Sequence, residues 1–99
     1  MTASYDFDGN PISVIEWAEL FARWPDRCVA QTELGDVEVS TVWLGLDYSF
    51  GMGGAPLIYE TMIFGGEHDE ECWRYPNRDA ALAGHDQAVE LVREAQAVR

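Results

Sequence analysis

The sequence predicts one α+β domain over residues 1–99: a four-stranded antiparallel sheet of two hairpins, with an N-terminal and a C-terminal helix packed on it. Three observations predict this class. Segments with helical periodicity lie near both ends, and four segments with strand patterns lie between them. The 99 residues, 47% of them apolar, suffice for one hydrophobic core and are too few for a second domain.

The first helix is predicted over residues 14–24. Ser13 and Glu16 have the spacing of a capping box, which starts a helix, and Pro25 should end it. Apolar residues recur on one helical face, and that face is expected to pack on the sheet. Its members are Val14, Trp17, Ala18, Phe21 and Trp24.

Two strands, CVAQTEL (28–34) and VEVSTVWLGL (37–46), follow on either side of Gly35 and Asp36. A two-residue turn that begins with glycine fixes the register of the hairpin. One side of this hairpin is apolar, and we expect it to face the core. The predicted pairs on that side are Leu34–Val37, Thr32–Val39, Ala30–Thr41 and Cys28–Trp43.

A second hairpin joins strands at 57–64 and 71–75. Centring its turn pairs Glu60 with Arg74, Thr61 with Trp73 and Met62 with Cys72. An unpaired carboxylate among apolar neighbours would be costly, so the pairing with Arg74 gives Glu60 the partner that it needs.

The second face of the sheet is also expected to be apolar and to require a cover. Either one helix lies on each face, or both helices lie on one side and leave an apolar patch for a partner subunit or a target protein. Connection rules leave both arrangements open. The patch also predicts a homodimer. The residues predicted on this face are Val29, Val42, Leu44, Leu46, Ile58, Met62 and Phe64.

The last helix is predicted over residues 78–97, with Asn77 as its cap. Gly84 lies on its apolar stripe, where a glycine usually marks close packing. His85 lies on the same stripe, and a hydrogen-bonded core histidine is a commoner role there than a catalytic one.

Charge and composition exclude several classes of function. Six Arg, no Lys and a net charge of −12 repel nucleic acid and anionic membranes. The chain shows no apolar run long enough to span a bilayer and no secretory signal, and its two cysteines form no disulfide framework. We therefore expect a cytoplasmic protein with reduced thiols.

No pattern in the chain predicts catalysis. No Ser, Cys or Thr is marked out beside a base, and the acidic run at 67–72 matches no metal-ligand spacing. The expectation is therefore a protein that is not an enzyme and that holds no metal or cofactor.

A binding role is the main hypothesis. The chain is interpreted as a small acidic accessory protein that associates with a basic host protein or with itself, with a contact surface in the Gly-rich connection 47–56. Asp47, Tyr48 and Phe50 lie in that connection. A sharper form of the hypothesis is a decoy that imitates the charge of DNA, which predicts carboxylates aligned at regular spacing.

The alternative hypothesis is a small-molecule-binding protein that sequesters a signalling ligand. Its aromatic pocket would lie between the Gly-rich connection and the second helix, lined by Trp43, Arg74 and His85. Two arginines can override a negative overall field locally, so an anionic ligand is compatible with this pocket.

The words STVWLGLD, ETMIFGG and AGH, with the opening DFDGNPISVIEWAELF, resemble a family of small uncharacterised proteins encoded by actinobacteria and by their phages. The resemblance covers most of the chain. It implies an actinobacterial or phage source and a cytoplasmic setting, and it implies no reaction. Members of the family often carry His at the position of Tyr48, so a two-histidine site with His85 would be incomplete here.

Overall fold

The fold was analysed in a computed structural model that describes residues 3–47 and 54–98. The α+β class, the four-stranded antiparallel sheet and the C-terminal helix are confirmed. A small two-stranded sheet, β1 with β2, precedes the main sheet, whose strand order is β3-β4-β5-β6. The elements are β1 (Ser4–Tyr5), β2 (Pro11–Ile12), α1 (Val14–Phe21), α2 (Trp24–Arg27), β3 (Cys28–Leu34), β4 (Val37–Trp43), β5 (Tyr59–Phe64), β6 (Cys72–Tyr75) and α3 (Arg78–Ala97).

The N-terminal helix is shorter than the sequence predicted. Ser13 caps α1, with the backbone N–H of Glu16 donating to Ser13 Oγ at 3.1 Å, and the helix ends at Phe21. The prediction of one helix over 14–24 is wrong at its C-terminal end. Pro25 lies in the first turn of α2, where a missing N–H costs little, so proline here favours a new one-turn helix after the break at Arg23.

The first hairpin has the predicted register except at its open end. Gly35 has a φ of 64° at the first turn position, as a Gly-X turn requires, and Leu34, Thr32 and Ala30 have their predicted partners. Cys28 pairs with Val42, so the predicted pairing with Trp43 is wrong. A β-bulge between Cys28 and Ala30 inserts one unpaired residue and shifts the register by one.

The second hairpin confirms all three predicted pairs, Glu60–Arg74, Thr61–Trp73 and Met62–Cys72. Its strands are shorter than predicted, with β5 beginning at Tyr59 and β6 at Cys72.

One face of the sheet is covered by α3, which contacts all four strands. Every second residue of β4, from Val37 to Trp43, is buried on this face. The buried residues form two clusters. The first consists of Val37, Val39, Ile63, Ala88, Val89 and Val92, and the second consists of Trp43, Ile58, Tyr59 and Ala81. Side chains of α1 and of the N-terminal β1–β2 segment complete the second cluster, among them Trp17, Leu20, Phe21, Tyr5 and Phe7.

The opposite face, called the open face below, carries no helix in the described parts of the chain. It is less apolar than predicted. Ile58 belongs to the second core cluster, and Val29 packs against it. Val29 is the unpaired residue of the bulge in β3, and Ile58 precedes β5, which begins at Tyr59, so strand alternation assigns neither side chain to a face. In the described strands, the open face consists of Cys28, Gln31, Glu33, Glu38, Ser40, Val42, Glu60, Met62, Phe64, Cys72 and Arg74.

Close packing between β6 and α3 explains the glycine inside the last helix. A Cβ atom on Gly84 would lie 2.2 Å from Cζ of Tyr75, far inside van der Waals contact. The tyrosine ring therefore rests directly on the helix backbone, as the sequence predicted for this glycine.

This contact gives a double-mutant prediction. Replacing Gly84 with Ala should raise helix propensity by about 1 kcal/mol, yet we expect the free energy of unfolding to fall by about 1–3 kcal/mol because the Tyr75 ring must move. Urea denaturation of Gly84→Ala in the wild-type and Tyr75→Val backgrounds measures this. In the Tyr75→Val background, Gly84→Ala should leave the free energy of unfolding unchanged or raise it. An equal change in unfolding free energy in both backgrounds would contradict the contact.

Candidate functional site

His85 lies in a buried network of hydroxyl groups beneath α3. It is 4% exposed, its Nδ1 is 2.7 Å from Thr41 Oγ1, and its Nε2 is 2.9 Å from Thr32 Oγ1. Thr41 also bonds Thr61 across the sheet at 2.5 Å. Both ring nitrogens thus have partners inside the protein, which is the role of a satisfied core histidine.

Burial lowers the pKa of His85 below its ordinary value of 6.5, and the nearby Asp86 carboxylate opposes this only in part. The unfolded chain therefore binds a proton more readily than the folded protein near pH 6. The contribution of neutral His85 to the free energy of unfolding should be complete above about pH 6.5, and it should decrease as the pH falls toward the folded-state pKa of His85.

The chain has two histidines, which supplies a matched control for this pH dependence. We expect His85→Gln to flatten the fall in unfolding free energy between about pH 7.5 and pH 5.5, above the range in which ordinary carboxylates titrate. For one titrating group, the change in unfolding free energy with pH cannot exceed about 1.4 kcal/mol per pH unit, so the substitution can remove no more than this. Loss of the slope in His68→Gln but not in His85→Gln would contradict this assignment.

The other predicted site residues lie in three different places. Trp43 is fully buried, with its indole N–H donating to Asp6 O at 3.2 Å. Asp47 Oδ1 accepts from the backbone N–H of Leu57 at 3.1 Å and so holds the base of the connection together. Tyr48 and Phe50 lie outside the described residues.

Glu60 and Arg74 form the predicted ion pair on the open face, with Arg74 Nη2 3.1 Å from Glu60 Oε2. Arg74 therefore projects from the face opposite to Trp43 and His85. The prediction that Trp43, Arg74 and His85 line one pocket is wrong, because alternation along β6 places Arg74 on the other side of the sheet.

Sequence reasoning missed a groove between β6 and α3, called the β6–α3 groove below. Its volume is about 220 Å³, and it is lined by Trp73, Tyr75, Gly84, Gln87, Ala88 and Leu91. Trp73 is 37% exposed there although it lies on the sheet face that α3 covers. The signal in the sequence was the pair of aromatic residues on the short edge strand together with a glycine on the facing helix.

Carboxylates border this groove along the outer side of α3. Asp86, Glu90 and Glu94, called the acidic row below, recur every four residues and are all exposed. They stand about 6 Å apart along the helix axis. Gln87 and Leu91 line both the groove and the shallow surface beside the row, so the two are continuous. Arg93 Nη1, 3.1 Å from Glu90 Oε1, offsets only one of the three charges.

A larger groove of about 340 Å³ lies between the N-terminal segment and α1, and two of the four acids that line it, Asp6 and Glu16, serve the fold. Asp6 accepts hydrogen bonds from the backbone N–H groups of Asp8 and Asn10, and Glu16 closes the capping box. The ring of Phe7, also in its wall, packs on Trp43 at 4.5 Å between centroids. The lining residues are Asp6, Phe7, Asp8, Ile12, Glu16, Glu19 and Leu20.

In residues 3–47 and 54–98, no group of three or more His, Cys, Asp or Glu side chains is placed to hold a metal ion. No helix in these ranges is both long and apolar enough to cross a membrane. The fold and the β6–α3 groove with its acidic row thus define an acidic α+β protein with an aromatic groove on one edge. Comparisons with family models, with curated proteins and with solved structures find no match.

Proposed function

We propose that this protein is a non-catalytic binding protein that associates with a basic segment of a partner protein. The observation that carries the proposal is that the exposed carboxylates of the acidic row and the groove that contains the exposed Trp73 share the lining residues Gln87 and Leu91, in a chain that contains no lysine. Aromatic anchors with a charged rim are typical of protein–protein contacts.

The acidic row is unfavourable for the isolated helix. Like charges four residues apart destabilise a helix by about 0.2–0.5 kcal/mol per pair, and the row contains two such pairs. A basic partner would convert this repulsion into attraction and would be steered toward the row from a distance.

Two other hypotheses have less support. The residues predicted to line a small-molecule pocket lie apart, and at about 220 Å³ the β6–α3 groove is smaller than the roughly 300–1,000 Å³ of ordinary ligand sites. A close imitation of DNA would need two lines of charge that follow both strands of a duplex, whereas the acidic row is a single line of three carboxylates.

Homodimerisation stays a prediction. The open face, through which two copies would associate, is less apolar than the sequence predicted, and this makes a dimer less favourable. In the described strands, its apolar part consists of Val42, Met62 and Phe64 with the two cysteines Cys28 and Cys72. The carboxylates of Glu33 and Glu38 border these side chains and would repel a second copy. The accessory role in an actinobacterial or phage setting, in the cytoplasm, rests on the sequence resemblance.

The proposal is tested by two variants, each of which removes three negative charges, one variant from the acidic row and the other from elsewhere on the surface. In the row variant, Asp86→Asn, Glu90→Gln and Glu94→Gln neutralise the acidic row. In the control variant, Glu19→Gln, Glu33→Gln and Glu67→Gln neutralise three exposed acids elsewhere. Both variants have a net charge of −9 in place of −12.

Binding of a short peptide of alternating arginine and serine is measured by calorimetry at low and at physiological ionic strength. We expect the row variant to bind about tenfold more weakly, since each exposed ion pair contributes about 0.2–1 kcal/mol. The control variant should lose only the smaller effect of the overall field. Equal losses in the two variants, or no binding by the wild-type protein, would overturn the proposal.

A further inference from the structure

The side chains that line the β6–α3 groove are uncharged and include two aromatic rings, and the carboxylates of the acidic row lie on the adjoining surface of α3. Trp73, which is 37% exposed, lines the groove, and Tyr75 is held against the backbone of Gly84. Gln87 supplies an amide beside the rings. An apolar ligand would need only the aromatic lining of the groove, and a small cation would need only the carboxylates of the acidic row. The combination suits a cation that also has a flat, weakly hydrated face.

We infer that the β6–α3 groove is a binding site for a single arginine side chain of the partner protein. This inference rests on the proposed function and names the group that the site recognises. The guanidinium stacks on Trp73, its stem packs toward Leu91, and the amide oxygen of Gln87 accepts from an N–H of the guanidinium. The carboxylates of the acidic row, on the adjoining surface of α3, attract the charge and hold neighbouring basic residues.

Arginine fits this groove better than lysine for physical reasons. A guanidinium is planar, stacks on aromatic rings and loses little hydration when it does so, whereas an ammonium is compact and strongly hydrated. The chain already uses the same contact internally, because the guanidinium carbon of Arg27 lies 3.5 Å from the ring centroid of Phe21.

The size of the groove also selects one side chain. About 220 Å³ is below the range of whole-metabolite pockets, and the groove is continuous with the surface of the acidic row through Gln87 and Leu91. A segment that inserts one arginine would therefore run along α3 with its other basic groups over the carboxylates of the row.

The test compares peptides of alternating arginine–serine and lysine–serine, identical in length and charge, on the wild-type protein and three variants. Trp73→Leu removes the ring, Trp73→Phe keeps an aromatic face, and Trp24→Leu removes a 50% exposed tryptophan elsewhere as the matched control. We expect the wild-type protein to bind the arginine peptide about three- to tenfold more tightly than the lysine peptide. Trp73→Leu should abolish this preference, while Trp73→Phe and Trp24→Leu should retain it.

The outcomes separate the inference from the proposed function. If both peptides bind the wild-type protein equally and the row variant still weakens them, association with basic segments stands and the arginine site is wrong. If Trp73→Leu folds, as near-ultraviolet circular dichroism would show, and keeps the preference, the arginine site is also wrong. If neither peptide binds the wild-type protein, both are wrong.

Discussion

Gly45→Ala is expected to lower the free energy of unfolding by about 2–6 kcal/mol, a large part of the roughly 5–15 kcal/mol typical of such domains. Gly45 has a φ of 73°, which strains any residue with a Cβ atom. The new Cβ would also lie 2.3 Å from Cζ2 of Trp43 and 2.6 Å from Cδ1 of Trp17.

Neither indole can move aside cheaply. Trp17 donates its ring N–H to Leu44 O at 2.8 Å, and Trp43 donates its own to Asp6 O. Both tryptophans belong to the second core cluster, which connects α1 and the N-terminal segment to the sheet. The substitution should therefore disrupt the attachment of the whole N-terminal part.

Gly54→Ala is the matched control for this effect. Gly54 has a similar φ of 80°, but no heavy atom of residues 3–47 and 54–98 lies within 4 Å of a Cβ built there. It should cost only the backbone strain, about 1–2 kcal/mol. Chemical denaturation of both variants decides the matter: equal losses would show that the indoles do not crowd Gly45.

A second large effect is expected at two adjacent residues on opposite faces of β5. Ile63 is fully buried in the first core cluster, so Ile63→Ala should cost about 2–5 kcal/mol. Phe64 is the larger side chain but is 45% exposed on the open face, and Phe64→Ala should cost less than about 1 kcal/mol.

This pair tests which face of the sheet α3 covers. If α3 lay on the open face, the two costs would be reversed. Urea denaturation with the same probe for both variants measures the difference. A larger loss for Phe64→Ala than for Ile63→Ala would contradict the packing of the sheet described above.

Local chemistry in the sequence was sufficient for the strand pairing. The Gly35–Asp36 turn predicts the register of the first hairpin, and centring the second turn predicts that of the second, where it gives Glu60 the partner it needs. The bulge next to Cys28 could not be predicted, because no residue there requires it. Alternation does not tell which face a residue occupies at a bulge or before a strand begins, and the prediction relied on it for Val29, in the bulge, and for Ile58, which precedes β5.

The candidate site was only partly predictable for a related reason. His85 and Trp43 were identified as notable residues, but whether they face a ligand or the core depends on where α3 and the N-terminal segment lie. The β6–α3 groove arises between elements that are distant in sequence. Gly84 indicated the close packing, but only the structure shows that Trp73 stays exposed beside it.

The most direct test of the account is to locate the bound peptide on the protein. Backbone and indole N–H resonances of the isotopically labelled full-length chain are followed by NMR while the arginine–serine peptide is added. The account predicts the largest shifts at the Trp73 indole, Gln87 and Leu91, and little change at Val42, Met62 and Phe64. The largest shifts on the open face, with the Trp73 indole unmoved, would contradict it.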